Sequence, residues 1–252
     1  MERLFNGILL NAWHFGMRYL AVAVAFSLLW LWWRQRPGSC KPLQSKPVAG
    51  SQIRREMLTT VVALFVLGSV LPILFYVGFW RHTKVYHDIG RYGWGYLVLS
   101  IFLMMLIQDT WFYWTHRLMH HRLLFRLFHR THHRSTNTNP WSTYTIAPLE
   151  AVVNSGAMVL ILLLIPANGI ALLIFSWLNI TSAVYSHLGY ELYPRGMGQH
   201  WLGRWINTSV AHNTHHAHIR YNYGWYFLFW DRAMGTLDPD YAARFRAAHG
   251  PS

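Results

Sequence analysis

Residues 109–133 read DTWFYWTHRLMHHRLLFRLFHRTHH, and the architecture turns on this stretch. It begins as the end of an apolar block, Tyr92 to Thr115, whose only charge is Asp109, and it leaves that block straight into histidine. His116 and His120 stand four apart, so on a helix their rings share one face. His129, His132 and His133 follow at spacings of three and four, with Arg117, Arg122, Arg126 and Arg130 set among Leu and Phe as on a helix lying at a lipid interface. HNTHH at 212–216 repeats the device with His212, His215 and His216, and His187 stands between the two regions.

Outward from this stretch the chain is mostly apolar. Of 252 residues, 53% are hydrophobic and 12% charged, about half the charge of an ordinary soluble domain. The net charge of +13 does not form one basic domain. Lys and Arg cluster between apolar blocks, the pattern of a membrane protein and not of a nucleic-acid binder, so no nucleic-acid partner is expected. The single Cys40 excludes an internal disulfide framework and any cysteine-based metal site within one chain, and reads as an incidental loop thiol.

Five spans are predicted. Tyr19–Trp33 ends in the interfacial LLWLWW and reads as a retained helix and not a cleaved leader. LTTVVALFVLGSVLPILFYVGFW at 58–80 is uncharged and long enough to cross a bilayer, at about 34 Å. The 92–115 block is the third. The segments 149–165 and 170–186 form a hairpin about Pro166-Ala167-Asn168-Gly169, each arm slightly short for a full span. The 34–57 loop carries Arg34, Arg36, Lys41, Lys46, Arg54 and Arg55, against Arg81, Lys84 and Arg91 in the 81–91 loop. The positive-inside tendency therefore makes the first loop cytoplasmic, which brings every dense histidine group to the cytoplasmic face. The expected organisation is 1–57 as an N-terminal helix and basic loop, 58–238 as the membrane and histidine-rich domain with a cap from 116–148 and 187–238, and 239–252 as a tail. The fold class is an all-α polytopic membrane protein, a four-helix core plus an extra first span.

Nine clustered imidazoles exceed the roughly four ligands one ion takes and suit two neighbouring ions. Imidazole accepts iron, copper, nickel and zinc alike. A redox pair beside a membrane points to dioxygen and C–H chemistry on lipid; two-zinc hydrolysis ordinarily adds bridging carboxylates, and the chain has only nine Asp and Glu. His14, His82, His87 and His249 read as isolated interfacial or solvated residues, and His121 and His218 as outward-facing neighbours. Asp109, two helical turns before His116, is expected to accept a proton from a ligand imidazole and orient it. Trp111, Tyr113 and Trp114 read as channel lining or as an aromatic belt. The rival readings are a histidine-lined metal or proton transporter and a zinc-binding membrane scaffold. A transporter needs its histidines inside the spans, and here all nine lie at or beyond helix ends.

These motifs resemble the fatty acid hydroxylase superfamily, membrane histidine-box enzymes that include sterol desaturases, sterol C4-methyl oxidases and fatty acid 2-hydroxylases. The resemblance runs over roughly 92–238. DTWFYWTHRLMH, with Asp109, Tyr113, His116 and His120, matches its first box and HRTHH, with His129, His132 and His133, its second. HNTHHAHIRYNYGWYFLFWDRAMGTLDP matches the third, with Asn222, Tyr223, Gly224, Trp230, Asp231, Gly235 and Thr236 in the NYG and WD...GT arrangement. HLGYELYP, from His187, resembles the intervening element. The resemblance implies two iron ions, dioxygen as co-substrate, and hydroxylation or desaturation of a membrane lipid. It also implies the nine histidines as ligands, with Asp109, Tyr113 and Glu191 as further site residues. Glu191 stands where hydroxylases place another histidine, and is open to three readings: a ligand, a hydrogen-bond partner of a ligand, or a position left to water with His200 as substitute. Ala147 replaces an imidazole before Pro148. No GxGxxG or haem pattern is present, so electrons are expected from an external carrier, ferredoxin-like or cytochrome b5-like. Sterol, fatty acyl chain, hopanoid, carotenoid and ether lipid all remain open as substrate.

Overall fold

In the computed structural model, which describes residues 1–33, 41–44, 47–198 and 200–249, the chain folds as a bundle of long apolar helices with a helical, histidine-rich region. Cys40 and the basic residues Arg34, Arg36 and Lys46 lie outside the described residues. The elements are α1 (Glu2–Trp33), α2 (Gly50–Tyr76), β1 (Val85–Tyr86), α3 (Gly93–Met119), α4 (Phe125–Phe128), α5 (Arg130–His133), α6 (Pro148–Leu164), β2 (Ala167–Asn168), α7 (Gly169–Ser186), α8 (Ser209–His218), α9 (Phe229–Ala233) and α10 (Tyr241–Ala247).

Among the described residues, α1, α2, α3 and α7 are long and apolar enough to cross a membrane, and α6 is a shorter apolar helix. In the most apolar window of α1 and of α2 only 17% of residues are buried inside the protein. Val61, Val98 and Trp94 are each about two-thirds exposed, an apolar surface that water would not tolerate and hydrocarbon would. The protein is a polytopic membrane protein.

Helix boundaries differ from those predicted, for local reasons. The second span starts eight residues earlier, at Gly50, because Arg54, Arg55 and Glu56 continue the helix beyond its apolar part. It ends at Tyr76, not at residue 80, because Gly78 takes φ +93, the left-handed conformation that closes a helix. Pro72 lies inside the helix. The third span runs on to Met119 and so carries His116 on the membrane helix itself. At the hairpin tip, Ala167 and Asn168 pair with Val85 and Tyr86 as a two-residue parallel ladder, and the Asn168 side chain caps α7 by accepting from the Ile170 amide at 2.9 Å.

The helices approach closely where side chains are small. A methyl group on Gly68 of α2 would lie 2.5 Å from the Ala12 Cα of α1, so glycine lets these two backbones meet, and Asn11 Nδ2 donates to the Gly68 carbonyl at 2.9 Å. Gly156 of α6 receives the Trp111 ring of α3, whose Nε1 donates to the Val153 carbonyl at 2.8 Å. At the opposite end from β1 and β2, the segments 120–147 and 187–249 form a cap. The described part of the basic loop lies against it, with the Leu43 amide bonded to the Gly189 carbonyl at 3.0 Å and Gln52 Nε2 to the Asn137 carbonyl at 2.8 Å. The segment predicted as a tail also belongs to the cap. Tyr241, Phe245 and Ala248 close an apolar cluster with Val210, Ala211 and Leu228, because α10 has an apolar face and the underside of α8 needs cover.

Candidate metal centre

Four elements deliver the nine imidazoles. The end of α3 supplies His116 and its cap residue His120; the short turn around α5 supplies His129, His132 and His133; the cap residue of α7 is His187; and α8 supplies His212, His215 and His216. Helix α8 starts where it does because the Thr208 side chain accepts from the Ala211 amide at 3.1 Å, which sets all three of its histidines against the bundle. His121 and His218 are exposed, outside both groups.

The rings sort into two groups. His116, His120, His129, His133 and His215 form one, and His132, His187, His212 and His216 the other, with the ligand atoms of each group all within 4.8 Å of one another. Neighbouring residues face different groups: His133 joins the first and His132 the second, and His215 and His216 divide in the same way. In the first group the Nε2 atoms of His120, His133 and His215 form a triangle with sides of 3.1 to 3.2 Å, and those of His116 and His129 are 2.9 Å apart. In the second, the Nε2 atoms of His132, His187, His212 and His216 close a four-membered ring with sides of 3.0 to 3.3 Å. Bonds of about 2.1 Å at right angles around one ion would put adjacent nitrogens about 3 Å apart.

Proton bookkeeping makes these contacts a cation site. His116 Nδ1 faces the Tyr223 carbonyl at 2.9 Å, His215 Nδ1 the Tyr221 carbonyl at 2.6 Å and His187 Nδ1 the Ala183 carbonyl at 2.9 Å. A carbonyl only accepts, so Nδ1 carries the proton and Nε2 presents a bare lone pair. His129 Nδ1 likewise donates to Glu150 Oε1 at 2.8 Å. The 2.9 Å approach of the His116 and His129 Nε2 atoms therefore has no proton between them. Two lone pairs at that distance repel unless a cation lies between them. Burial keeps the rings neutral: His187 and His215 are both pushed down to about 4, and His120 to about 2 with help from the nearby His215 ring. Burial, followed by neighbouring imidazoles, holds His129, His132, His133, His212 and His216 well below the usual range. The residues fit two bound transition-metal ions, five imidazoles on one and four on the other.

The acids do other work than expected. Asp109 touches no imidazole. Its Oδ1 accepts the backbone amides of Trp225, Tyr226 and Phe227 at 3.1, 2.7 and 3.0 Å, because the 225–227 turn presents three donors to the inner face of α3 where the ring of His116 does not reach back. Glu191 is not a ligand either. It accepts from the Tyr185 hydroxyl and from the amides of Tyr193 at 3.0 Å and Val210 at 3.2 Å, tying the end of α7 to the start of α8. Nor does His200 substitute: it is exposed, and its Nδ1 accepts from the Leu202 and Gly203 amides at 3.3 and 3.4 Å. Tyr113 is fully buried beneath the site, its hydroxyl 2.9 Å from Thr236 Oγ1 and within reach of Arg117, and it contacts no ligand nitrogen.

The NYG and WD...GT residues form the clamp behind His116. Asp231 accepts from the amides of Tyr223 at 2.8 Å and Gly224 at 2.9 Å and from Thr236 Oγ1 at 2.8 Å. Burial still raises its carboxyl to about 6. Any side chain at Gly224 would collide with the Phe227 carbonyl, 2.2 Å from a Cβ, and Asn222 adopts φ +59 while its amide holds the Ala211 carbonyl at 2.9 Å. The clamp thereby aims the Tyr223 carbonyl at His116.

Glu150 and the carbonyls of Ala183, Tyr221 and Tyr223 are site residues that the sequence reading did not assign. Glu150 carries one legible signal, an acid at the start of an apolar helix. The carbonyls carry none.

Fold and site together define a polytopic membrane protein whose cap holds two groups of metal-ligating imidazoles. The profile of the family described as Fatty acid hydroxylase matches residues 101–236, more than half of the chain, and the chain belongs to that family. A Delta(7)-sterol 5(6)-desaturase of Gibberella zeae is 30% identical over 201 residues, covering 77% of this chain and 60% of the relative. The lathosterol oxidase of Homo sapiens is 30% identical over 190 residues, 74% of this chain and 62% of the relative. A second Delta(7)-sterol 5(6)-desaturase, from Aspergillus fumigatus, is 26% identical over 206 residues, 74% of this chain and 63% of the relative. The chain thus spans about three-fifths of these relatives' length. No solved structure matches it.

Proposed function

We propose that the chain is a di-iron, dioxygen-dependent oxidoreductase that hydroxylates or desaturates a C–H site of a membrane lipid, with electrons from an external carrier. One observation carries the reading: two adjoining sets of neutral imidazoles turn bare Nε2 lone pairs on one another. Bound there, a pair of irons supplies the redox chemistry that acid–base groups lack. Dioxygen, two electrons and two protons convert a C–H bond to an alcohol with one water, or a CH–CH pair to an alkene with two.

The chain's own groups position and isolate that chemistry. Glu150 Oε1 accepts a hydrogen bond from the Nδ1–H of His129, which fixes that ring's tautomer and, as a carboxylate, strengthens it as a donor. The Ala183, Tyr221 and Tyr223 carbonyls fix three further tautomers. Phe112 packs between His116 and Trp225, its ring centroid 4.8 Å from that of the first and 4.4 Å from that of the second, and helps hold the His116 ring in place. The relatives' names, which speak of sterols for those proteins, support a hydrophobic membrane lipid as substrate. The basic character of the 34–57 segment supports a cytoplasmic cap, since its described part packs against the cap. Arg122, Arg126, Arg130 and Arg134 are exposed on the cap and suit an acidic carrier, ferredoxin-like or cytochrome b5-like.

Metal analysis of the purified full chain tests the proposal, with about two irons per chain expected. One zinc would instead indicate a scaffold, and no retained metal a transporter. Replacing His132 by Ala should abolish product formation while membrane insertion persists; a fully active variant would remove the assigned role. Lipid profiling of cells with and without the gene then identifies the product.

A further inference from the structure

Inside the bundle, between α1, α2, α3, α6 and α7, lies a cavity of about 470 Å³. It begins beside Val85 and Gly169, at the end where β1 and β2 pair, and reaches Gln108 and Trp225 below the cap. Most of its wall is carbon, including Leu67, Leu71, Phe75 and Leu172. Polar side chains interrupt that wall, Asn11, Gln108, Ser155, Ser176 and Asn179 among them, and three others bear on what it would hold. Arg18 lines the cavity from α1. Tyr144, 6% exposed, and the buried Asn154 Oδ1 also line it, and neither the Tyr144 hydroxyl nor that Asn154 oxygen has a hydrogen-bond partner in the protein.

Arg18 is the unusual member. Its Nε donates to the His14 carbonyl at 3.0 Å and its Nη1 to Ser176 Oγ at 2.5 Å, which leaves three of five N–H donors. Among the described residues no carboxylate lies within ion-pairing distance of it. Ser176 stands seven residues from one end of α7 and ten from the other, roughly 10 and 15 Å, so the half-buried guanidinium is held level with the middle of that apolar helix. A fixed cation at that depth, beside an apolar chamber, marks a binding site for a counter-charge. Tyr144 supplies a further donor nearby: the Arg18 guanidinium lies 5.9 Å from the Phe15 ring, and that ring is 5.3 Å from the Tyr144 ring.

We propose that this cavity is the lipid chamber and that Arg18, with Tyr144, selects a lipid whose head carries an anionic oxygen, a carboxylate or a phosphate, over a neutral alcohol. The head sits against α1 and α7, and the hydrocarbon fills the remaining apolar wall. The proposal rests on the lipid-oxidising reading for the chamber's purpose. It departs from the sterols in the relatives' names, because a sterol's head is a neutral hydroxyl. Arg18 also lies outside the 101–236 segment that carries the family match, so the selectivity belongs to the first helix.

Equilibrium binding to the full chain in an uncharged detergent at pH 8 tests it, with radiolabelled oleate, oleyl phosphate, oleyl alcohol and cholesterol as probes. Oleate or oleyl phosphate should bind about tenfold or more tightly than oleyl alcohol, and the ratio between the two anions identifies the head. Arg18→Met, which keeps the side-chain length and suits a membrane helix, should remove that preference while oleyl alcohol affinity changes less than about twofold. Arg18→Lys should restore a preference for the anion. Equal binding of alcohol and anions by the unaltered chain, tighter binding of cholesterol, or a preference that survives Arg18→Met would overturn the proposal. A merely structural Arg18 would weaken every probe alike. Because no turnover is measured, loss of the charge preference leaves the metal reading standing, and absence of iron leaves the binding result standing.

Discussion

Glu150 shows what a single carboxylate does beside a ligand. It is 2% exposed and its Oε1 lies 2.8 Å from His129 Nδ1, so the ring's orientation and its electron-donating strength both depend on it. Glu150→Gln keeps an acceptor oxygen but loses the charge, and iron retention under chelator dialysis should weaken about tenfold; Glu150→Ala loses both and should approach a hundredfold. Asp109→Ala should behave differently. It strands three backbone donors of the 225–227 turn, at about 1 kcal/mol or more each, so thermal stability should fall before metal affinity does. A variant that kept its melting temperature and lost iron alone would return Asp109 to the role of ring partner. Spacing along the chain made all nine histidines legible, because ligands on one helix or one turn repeat at three or four residues. The orienting groups follow no such period. Glu150 meets His129 across 21 residues, and main-chain carbonyls have no letter in a sequence, so the acid nearest in helical register, Asp109, was the misleading choice.

At the scale of elements, hydropathy found the apolar helices but began α1 seventeen residues late, at Tyr19 and not Glu2, because Asn11, His14 and Arg18 interrupt the apolar run; local geometry set the ends of α2. Charged residues extend α2 at its start and Gly78 stops it, neither of which is visible in an apolar run alone. Contacts between helices were not legible, since Gly68 in a sequence is only a small residue and its use depends on Ala12 lying opposite. Gly68→Val should force α1 and α2 apart, lower the unfolding temperature in detergent and cost about 1–3 kcal/mol, with Gly68→Ala at the lower end. Unchanged melting would mean that these helices do not depend on backbone contact. The turn between α6 and α7, read as a hairpin tip, gains a partner 82 residues away, on the other side of α3: its pairing with β1 pins both loops of the distal end together.

For the whole molecule, the described part of the basic loop, the cap and the ends of α3 and α7 share one end, and the buried imidazoles tie that end to pH. An unfolded chain protonates its histidines near 6.5, whereas the folded protein keeps His187 and His215 neutral to about 4. Below 6.5 the unfolded state takes up protons that the folded state refuses, so stability is full above about pH 7 and drains away toward pH 4. The unfolding midpoint of metal-free protein, followed by tryptophan fluorescence, should fall across that window, and bound metal should oppose the fall until protons displace it. A flat profile would contradict the burial of these rings. The division of the consecutive pairs His132–His133 and His215–His216 between the two groups has a consequence for assembly. The first ion to arrive would fasten both backbone segments that a second would need, so loading should be cooperative. Native mass spectrometry during a ferrous titration should then pass from empty to doubly occupied chains with little singly occupied species between.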